Sequence, residues 1–304
     1  MDALLRTLFQ SFAKSQSVGR MARRYGLRFG AGRFVAGETV EGAIQAVRAL
    51  NATGREATLD HLGEFVSTEA EAELSTRMCL KTLDAIADAG VQANLSLKLT
   101  SLGLGISEEV CLQNLTAILN RARMHGLFVR IDMEDFAQCE KTISIYKQLR
   151  EQIDNVGIVI QAYLYRSLDD IEALKSLKPN LRLVKGAYKE SPKVAYPAKP
   201  DVDDNFKRLL STHLKNGGYA AIATHDAQII DYAKQAIQEL RVPPERYEFQ
   251  MLFGIREDLQ QALVREGYKV RVYVPFGSDW FGYFMRRLAE RPANVWFVLK
   301  NLFK

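Results

Sequence analysis

The chain has 304 residues, of which 47% are hydrophobic and 25% charged, and this fits one globular α/β barrel with an additional segment. Its net charge is +5, but the first 39 residues hold seven basic and two acidic side chains, so the remainder is near neutral and a nucleic-acid-binding protein with a basic face is excluded. Three cysteines without paired spacing argue against a zinc site or a disulfide framework, and predict free thiols in a reducing cytoplasm.

The first part of the chain is predicted to be helical. Apolar residues recur at helical spacing, for example at Val40, Ile44 and Val47. We therefore divide the chain into an N-terminal helical segment, residues 1–50, and a barrel over residues 51–304. The basic excess of the segment leaves three interpretations open: a helical cover packed on the barrel, a peripheral contact with anionic lipid at the inner face of the cytoplasmic membrane, or a mitochondrial transit peptide.

From residue 57 onward, short β-type runs alternate with longer amphipathic stretches. The predicted strands are 57–66, 93–100, 127–133, 157–163, 181–187, 219–224, 247–252 and 269–274. The predicted helices are 69–89, 108–125, 139–155, 168–178, 203–216, 227–240 and 257–266. Eight βα units in a row are typical of a closed parallel (βα)8 barrel. An open doubly wound sheet is the alternative, although no GxGxxG motif follows the first strand.

Several predicted strands have one apolar and one polar face. In the second strand Leu95 and Leu97 alternate with Ser96 and Lys98, and in the third Asp132 lies on the polar face. In a barrel the apolar face contacts the outer helices and the other face points inward. Unpaired charges inside would cost several kcal/mol. We therefore predict a ligand site at the C-terminal ends of the strands.

Three polar residues end consecutive strands of this pattern. Lys98 is expected to project into the barrel mouth and to pair with Asp132, at the same depth on the next strand. The alternative for Lys98 is a side chain that extends to solvent. Gln161 offers a neutral hydrogen-bonding group suited to a ring heteroatom, or else it is a buried glutamine with structural partners only.

Residues 182–188 carry a dense set of functional groups. Arg182 supplies a planar, positively charged guanidinium, and Lys185 supplies a second positive charge. Gly186 provides a backbone that a ligand can approach closely. Taken alone, Lys185 also fits the Schiff-base lysine of an aldolase-type barrel. His225 follows a strand of small residues and is either a structural histidine or a site residue. No metal site is predicted, because no second ligand lies at suitable spacing.

Two adjacent arginines, Arg286 and Arg287, follow the eighth predicted strand on a short predicted helix. Glu290 lies four and three residues later, so it can brace either guanidinium. Tyr273 stands near the end of the preceding strand. The position of the arginines at the barrel mouth favours bidentate recognition of a carboxylate or phosphate over a solvated helix end.

These motifs, taken together and in order, resemble those of the proline dehydrogenase family in its monofunctional bacterial form. The resemblance runs from about residue 57 to residue 304 and is carried by Ser96-Leu97-Lys98-Leu99, Ile131-Asp132, Gln161-Ala162-Tyr163, Arg182-Leu183-Val184-Lys185-Gly186-Ala187-Tyr188, Ala223-Thr224-His225, Phe249-Gln250-Met251-Leu252, Tyr273-Val274-Pro275-Phe276-Gly277 and Arg286-Arg287-Leu288-Ala289-Glu290.

The resemblance implies a distorted (βα)8 barrel that binds FAD at the C-terminal ends of its strands. It implies oxidation of L-proline to Δ1-pyrroline-5-carboxylate, the first step of proline catabolism to glutamate. Electrons would pass from the reduced flavin to a membrane quinone. A pyrroline-5-carboxylate dehydrogenase is the implied partner for the product.

Carried over position by position, the resemblance also implies roles for individual residues. Lys98, Arg286 and Arg287 would bind the proline carboxylate, with Glu290 holding the arginines. Tyr273 and Leu252 would pack against the pyrrolidine ring, with Tyr188 nearby; the residues expected to be catalytic are Lys98, Tyr273, Arg286 and Arg287. FAD-lining positions fall on Asp132, Gln161, Arg182, Val184, Lys185, Gly186, Ala187, Thr224, His225 and Gln250. Lys189 departs from the large bifunctional members, which often carry tryptophan there, so packing over the flavin is open at that point.

Two hypotheses from other classes stand beside this one. A lysine-dependent aldolase-type barrel would use Lys98 or Lys185 as its Schiff base. A non-catalytic adaptor would attach to a membrane surface through the basic N-terminal helices.

Overall fold

A closed barrel of eight parallel strands forms the body of the protein. The computed structural model describes residues 31–281 and Tyr283. The strands, paired in chain order with β8 closing on β1, are β1 Glu56–His61, β2 Ala93–Leu97, β3 Val129–Ile131, β4 Val156–Gln161, β5 Asn180–Val184, β6 Tyr219–Ala223, β7 Tyr247–Leu252 and β8 Val270–Phe276. The predicted (βα)8 barrel is therefore confirmed, and the open doubly wound sheet is wrong.

Helices surround the barrel and alternate with its strands. Within the described residues they are α1 Val40–Asn51, α2 Glu69–Ala89, α3 Glu108–Met124, α4 Phe136–Arg150, α5 Ser167–Leu174, α6 Lys199–Lys215, α7 Ala227–Glu239 and α8 Glu257–Arg265. Short 3-10 helices span Ala31–Arg33, Leu99–Leu102, Lys175–Leu177 and Pro244–Arg246. No helix in residues 31–281 has the length and apolar character needed to cross a bilayer.

The boundaries differ from the predicted ones where local signals override the apolar pattern. The first strand ends at His61 rather than at residue 66, because its pairing with β8 ends at the His61–Phe276 register. Helix α6 begins at Lys199, four residues before the predicted start, with a proline in its first turn, where a missing N–H costs nothing.

Helix α1 packs directly on the closing seam of the barrel. Its buried face includes the predicted apolar residues Val40, Ile44 and Val47. They share a core cluster with outward-facing residues of the seam, such as Leu59 of β1 and Val274 of β8. The predicted helices before residue 31, and with them the three interpretations of the basic segment, lie outside the described residues.

Residues 33–38 form a strap over the C-terminal end of the barrel, just before α1. The backbone N–H of Ala36 donates to the carbonyl of Pro275 (2.9 Å), and Gly277 donates to the carbonyl of Gly37 (3.0 Å). A Cβ at Gly254, which follows β7, would lie 1.8 Å from the backbone oxygen of Arg33. The strap is thus held closely by the end of β8 and by the residues that follow the last two strands.

The inward face of the barrel carries charge at its N-terminal end as well. Arg271 of β8 donates through Nε to Glu248 of β7 (2.9 Å), and it donates through Nη2 to Glu56 of β1. A buried charge is tolerated when it is paired and hydrogen-bonded. Arg271, Glu248 and Glu56 lie two or more positions before the ends of their strands. Inward polar residues therefore do not all belong to the predicted ligand site.

Helix α2 begins at a capping box, which makes a specific prediction. Thr68 accepts from the backbone N–H of Glu71, whose side chain accepts in return from the backbone N–H of Thr68. Thr68→Ala removes the hydroxyl and should lower the free energy of unfolding by about 1 kcal/mol. Urea denaturation measures the change. Thr68→Ser keeps the oxygen and should retain most of the stability; equal loss in both variants would contradict the role of the cap.

Candidate active site

A cavity of about 720 Å³ opens at the C-terminal ends of the strands. This volume lies in the range of small-molecule and cofactor sites, roughly 300–1,000 Å³. All the predicted site residues that the structure describes line it, namely Lys98, Asp132, Gln161, Arg182, Val184, Lys185, Gly186, Ala187, Tyr188, Thr224, His225, Gln250, Leu252 and Tyr273. Arg286, Arg287 and Glu290 lie outside the described residues, so the predicted carboxylate clamp has no structural description.

Lys98 follows β2 and reaches into the mouth of the barrel, as predicted, but its partner differs from the prediction. Its Nζ lies 3.0 Å from Oδ2 of Asp60, at the end of β1. The predicted Lys98–Asp132 pair is wrong, because Asp132 is held by other residues. Burial opposes the charged form of Lys98, yet the carboxylates of Asp60 and Asp132 outweigh it and raise the pKa of Lys98 above its ordinary value. Lys98 is therefore an ammonium, not a free amine.

Asp132 lies at the centre of a second group of polar contacts. Arg182 Nη1 donates to Asp132 Oδ1 (2.6 Å), and the hydroxyl of Tyr273 donates to Oδ2 (2.8 Å). The Arg182 guanidinium carbon also lies 5.2 Å from the centre of the Tyr273 ring. A further nitrogen of Arg182 donates to Ser96 Oγ (3.0 Å). These contacts, from strands on opposite sides of the barrel, fix Arg182 and Tyr273 in place.

Two glutamines give the cavity neutral hydrogen-bonding groups. Gln161 donates through Nε2 to the backbone oxygen of Glu134 (2.8 Å), so one of its groups has a structural partner. Gln250 accepts from Arg182 Nε at 2.6 Å. Both side chains are buried at 3% exposure. The structure thus supports the structural interpretation of Gln161 while it also places the residue in the cavity wall.

Lys185 belongs to an ion-pair group at the rim. Its Nζ lies 2.5 Å from Asp203 and 2.7 Å from Asp226, which caps α7. Hydrogen bonding to Lys185 outweighs partial burial and lowers the pKa of Asp226 to about 2. An ammonium paired with carboxylates is a poor nucleophile. Lys185 has two such partners and Lys98 has Asp60, so this geometry speaks against the Schiff-base hypothesis.

His225 has a defined hydrogen bond at the edge of the cavity. The backbone N–H of Leu252 donates to Nε2 of His225 at 3.0 Å. Because a backbone N–H only donates, Nε2 must be an unprotonated acceptor. His225 therefore ties the end of β7, with Leu252, to the segment after β6.

Gly186 has a positive φ of 115°, a conformation that favours glycine. A Cβ here would lie 2.2 Å from the ring of Tyr163, which packs beneath it. The predicted reason for this glycine was close approach of a ligand. The structure shows a different contact: the aromatic ring of a neighbouring segment already requires the absence of a side chain.

Five charged cavity residues are absent from the predicted site: Asp60, Glu64, Lys199, Asp226 and Arg256. A signal for the first was present, since Thr58 and Asp60 alternate with Ala57 and Leu59 on β1 as polar and apolar residues do on β2. For Glu64 and Lys199 the sequence carried no comparable signal, because neither lies on a strand. Among the described residues, no three histidine, cysteine or acidic side chains are grouped as for a metal ion.

Glu134, directly behind the cavity, allows a pH prediction. Burial raises the pKa of Glu134 to about 7, against the hydrogen bonds from the backbone N–H and hydroxyl of Thr100, which lower it. The folded state therefore binds this proton more tightly than the unfolded state, in which the group titrates at about pH 4.3. The stabilisation is fully present below that unfolded value and is lost as pH rises toward 7.

We accordingly expect the free energy of unfolding to fall between about pH 4.5 and 7 through this group. Glu134→Gln carries no titrating proton, so the variant should lack this part of the pH dependence. Urea denaturation of both proteins at intervals from pH 4.5 to 7.5 measures it. Identical pH profiles for the two proteins would show that Glu134 is not the titrating group.

Comparison with known proteins gives consistent similarities along the chain. A family model described as proline dehydrogenase matches residues 43–300. Proline dehydrogenase 1 of Bacillus subtilis subsp. natto is 50% identical over 301 residues, which cover 99% of this chain and 100% of that protein. The proline dehydrogenase of Deinococcus radiodurans is 43% identical over 309 residues, covering 100% of this chain and 99% of the relative.

Among solved structures, the chain is similar to proline utilization A (PutA) from Bdellovibrio bacteriovorus, inactivated by N-propargylglycine. The TM-score is 0.82 at 25% identity, and the match covers 90% of this chain and 34% of the PutA chain. The chain thus corresponds to about a third of that larger protein.

Proposed function

Because this chain belongs to the proline dehydrogenase family, and is thereby an oxidoreductase that oxidises proline, we propose the finer course of its reaction. It oxidises L-proline to Δ1-pyrroline-5-carboxylate with FAD and passes the electrons to a membrane quinone. The observation that carries the proposal is the convergence of Lys98, Asp132, Arg182 and Tyr273 on one cavity at the strand ends.

The cavity residues fit FAD by the chemistry of their donors. A flavin ring presents neutral nitrogen and oxygen atoms, which suit Gln161 and Gln250, and it gains negative charge on reduction, which suits Arg182. The dinucleotide also brings hydroxyl and phosphate groups, for which Lys185 and Thr224 offer partners. We propose that FAD is held by Asp132, Gln161, Arg182, Val184, Lys185, Gly186, Ala187, Thr224, His225 and Gln250. When bound, FAD supplies the acceptor for the hydride that leaves the proline ring carbon.

The protein's own part is to bind and orient the substrate. Proline is small, so the ammonium of Lys98 is proposed to bind its carboxylate as a charge-assisted hydrogen bond. Arg286 and Arg287, braced by Glu290, are proposed to complete the carboxylate site. Tyr273 and Leu252 are proposed to pack against the ring, with Tyr188 nearby, because one fixed orientation of the ring is what the reaction requires.

Arg182 and Asp132 are proposed to act as a fixed electrostatic pair. Arg182 is only 4% exposed and is held by Asp132, Ser96 and Gln250, so its charge needs no rearrangement during the reaction. Asp132 in turn accepts a hydrogen bond from the Tyr273 hydroxyl. The ring of Tyr273 is thus placed by a contact that does not involve the substrate.

The cellular setting is proposed from the same family membership. We propose a cytoplasmic enzyme that meets the membrane peripherally, at its inner face, where a quinone accepts the electrons. The segment of residues 1–50 is proposed as a helical unit, and its helix α1 packs on the barrel seam. A pyrroline-5-carboxylate dehydrogenase is the proposed partner, because its substrate is the product of the proposed reaction.

The test is the visible spectrum of the purified protein under anaerobic conditions. We expect a yellow protein whose flavin bands bleach on addition of L-proline and recover with a soluble quinone, whereas D-proline leaves them unchanged. N-Propargylglycine, which shares a secondary amine beside a carboxylate with proline, should inactivate the enzyme. A colourless protein that takes up no FAD would refute the proposal. Borohydride trapping of substrate on Lys98 or Lys185 would instead favour the aldolase hypothesis.

A further inference from the structure

A line of buried polar side chains continues from the cavity toward the opposite end of the barrel. Arg182 donates through Nε to Gln250 Oε1 (2.6 Å), and Gln250 donates through Nε2 to Glu248 Oε1 (2.5 Å). Arg271 donates through Nε to the same carboxylate oxygen at 2.9 Å. All four side chains are at most 5% exposed. Arg182 and Gln250 line the cavity, whereas Glu248 precedes Gln250 on β7 and lies beneath it.

We propose that Glu248 is a positioning residue for proline oxidation: it fixes the side-chain amide of Gln250 and, through that amide, the guanidinium of Arg182. The inference rests on the proposed assignment of Arg182 and Gln250 to the FAD site.

The two ends of the Gln250 side-chain amide have different hydrogen-bonding roles. The oxygen of Gln250 only accepts hydrogen bonds and its nitrogen only donates, and a half-turn exchanges the two ends. Arg182 Nε only donates, so it requires the oxygen. Glu248, when ionised, only accepts, so it requires the nitrogen. One orientation of Gln250 satisfies both neighbours, and the reverse orientation would set like groups against each other on both sides.

Glu248 is ionised in the folded protein. Burial alone would raise its pKa, but Arg271, with a weaker contribution from Lys269, lowers the pKa of Glu248 to about 2. The carboxylate is therefore an acceptor at every pH at which the enzyme would work. A neutral glutamine at this position could accept or donate, so it would not select one orientation of Gln250.

The competing explanation is that Glu248 only neutralises Arg271. Glu56 provides the matched control, since it pairs with Arg271 and with Lys269 at the outer end of the same network. If neutralisation were the whole role, loss of either carboxylate would lower stability and leave FAD binding unchanged. If Glu248 positions Gln250, only its loss should reach the cavity.

The experiment compares Glu248→Gln with Glu56→Gln in the full-length protein. Fluorescence titration of apoprotein with FAD should show about tenfold weaker binding for Glu248→Gln, the size expected for one well-placed buried hydrogen bond, and a change within about twofold for Glu56→Gln. The flavin absorbance maxima should shift in the first variant only. Thermal unfolding of the apoproteins should report a lower midpoint for both. Equal FAD affinities and identical spectra in the two variants would overturn the inference.

A double-mutant cycle tests whether Glu248 acts through Gln250. In the Gln250→Met background, Glu248→Gln should change FAD affinity by less than about twofold, because the amide that it orients is gone. Persistence of the full tenfold effect would overturn the proposed route. If Glu248→Gln does not fold, the double variant Glu248→Gln/Arg271→Gln is measured instead, because it removes both buried charges together.

The outcome is separable from that of the proposed function. Wild-type protein that binds no FAD would refute the proposed function itself. Wild-type protein that binds FAD, with the two glutamine variants indistinguishable, would refute only the positioning role of Glu248.

Discussion

Replacing Lys98 with methionine should lower kcat/KM for L-proline by about 10- to 100-fold, mainly through a higher KM. A charge-assisted hydrogen bond to a carboxylate contributes about 1.5–3 kcal/mol, which corresponds to that range. Methionine keeps most of the side-chain volume but provides no donor. Steady-state kinetics with varied proline under anaerobic conditions, with a quinone analogue as acceptor, measures the change.

Lys98→Met also removes the partner of a buried carboxylate, so stability must be separated from binding. Asp60 is 2% exposed, and breaking a buried pair on one side typically costs about 3–5 kcal/mol. The double variant with Asp60→Asn should recover much of the thermal stability but none of the proline affinity. Lys81→Met serves as a control, since Lys81 pairs with Glu41 on the outer helices. Recovery of affinity in the double variant would contradict the substrate contact of Lys98.

Replacing Gly186 with alanine should destabilise the protein strongly and lower the FAD content of the purified protein. The positive φ of 115° costs a non-glycine residue about 1–3 kcal/mol, and a Cβ 2.2 Å from the Tyr163 ring adds a clash that only movement of the ring or of the backbone relieves. Either movement displaces residues 185–187 in the cavity wall. Thermal unfolding and the flavin-to-protein absorbance ratio of the purified variant measure both effects.

Gly90 is the matched control for this prediction. It also has a positive φ, 60°, at the C-terminus of α2, but a Cβ there would meet no atom within 4 Å. Gly90→Ala should therefore cost only about 1 kcal/mol and leave FAD content unchanged. If the two alanine variants lost stability equally, the contact with Tyr163 would not be the cause.

Local periodicity predicts the barrel and part of the site, and the family resemblance supplies the other site residues. On β2 and at the residue after it, the alternation of Leu95 and Leu97 with Ser96 and Lys98 indicates both the strand and its inward face. A regular strand has no freedom to turn single side chains to the other face, so this inference holds wherever the strand is regular. Gln161, Arg182 and Tyr273, which lie on strands, line the cavity for that reason.

Pairing across the barrel could not be predicted in the same way. Lys98 was paired with Asp132 because their strands are neighbours in sequence, whereas Lys98 bonds to Asp60 on the other neighbouring strand. Asp132 is occupied by Arg182 and Tyr273, which come from distant strands. Which of several inward groups meet depends on side-chain length and rotamer across the interior. The contact between Gly186 and Tyr163 could not be predicted from the sequence for the same reason.

Closure of the barrel has a consequence for how the protein is made. Arg271 donates to the carbonyl of Ala57, 214 positions earlier, so the first and last strands meet only when nearly the whole chain is present. While the ribosome is still adding residues before β8, strand β1 keeps one unpaired edge, and such edges promote association between chains. Asp60 and Tyr273, which stand on opposite sides of this seam, can enter one cavity only after synthesis has passed residue 276. A nascent chain stalled earlier should therefore be inactive and prone to aggregate.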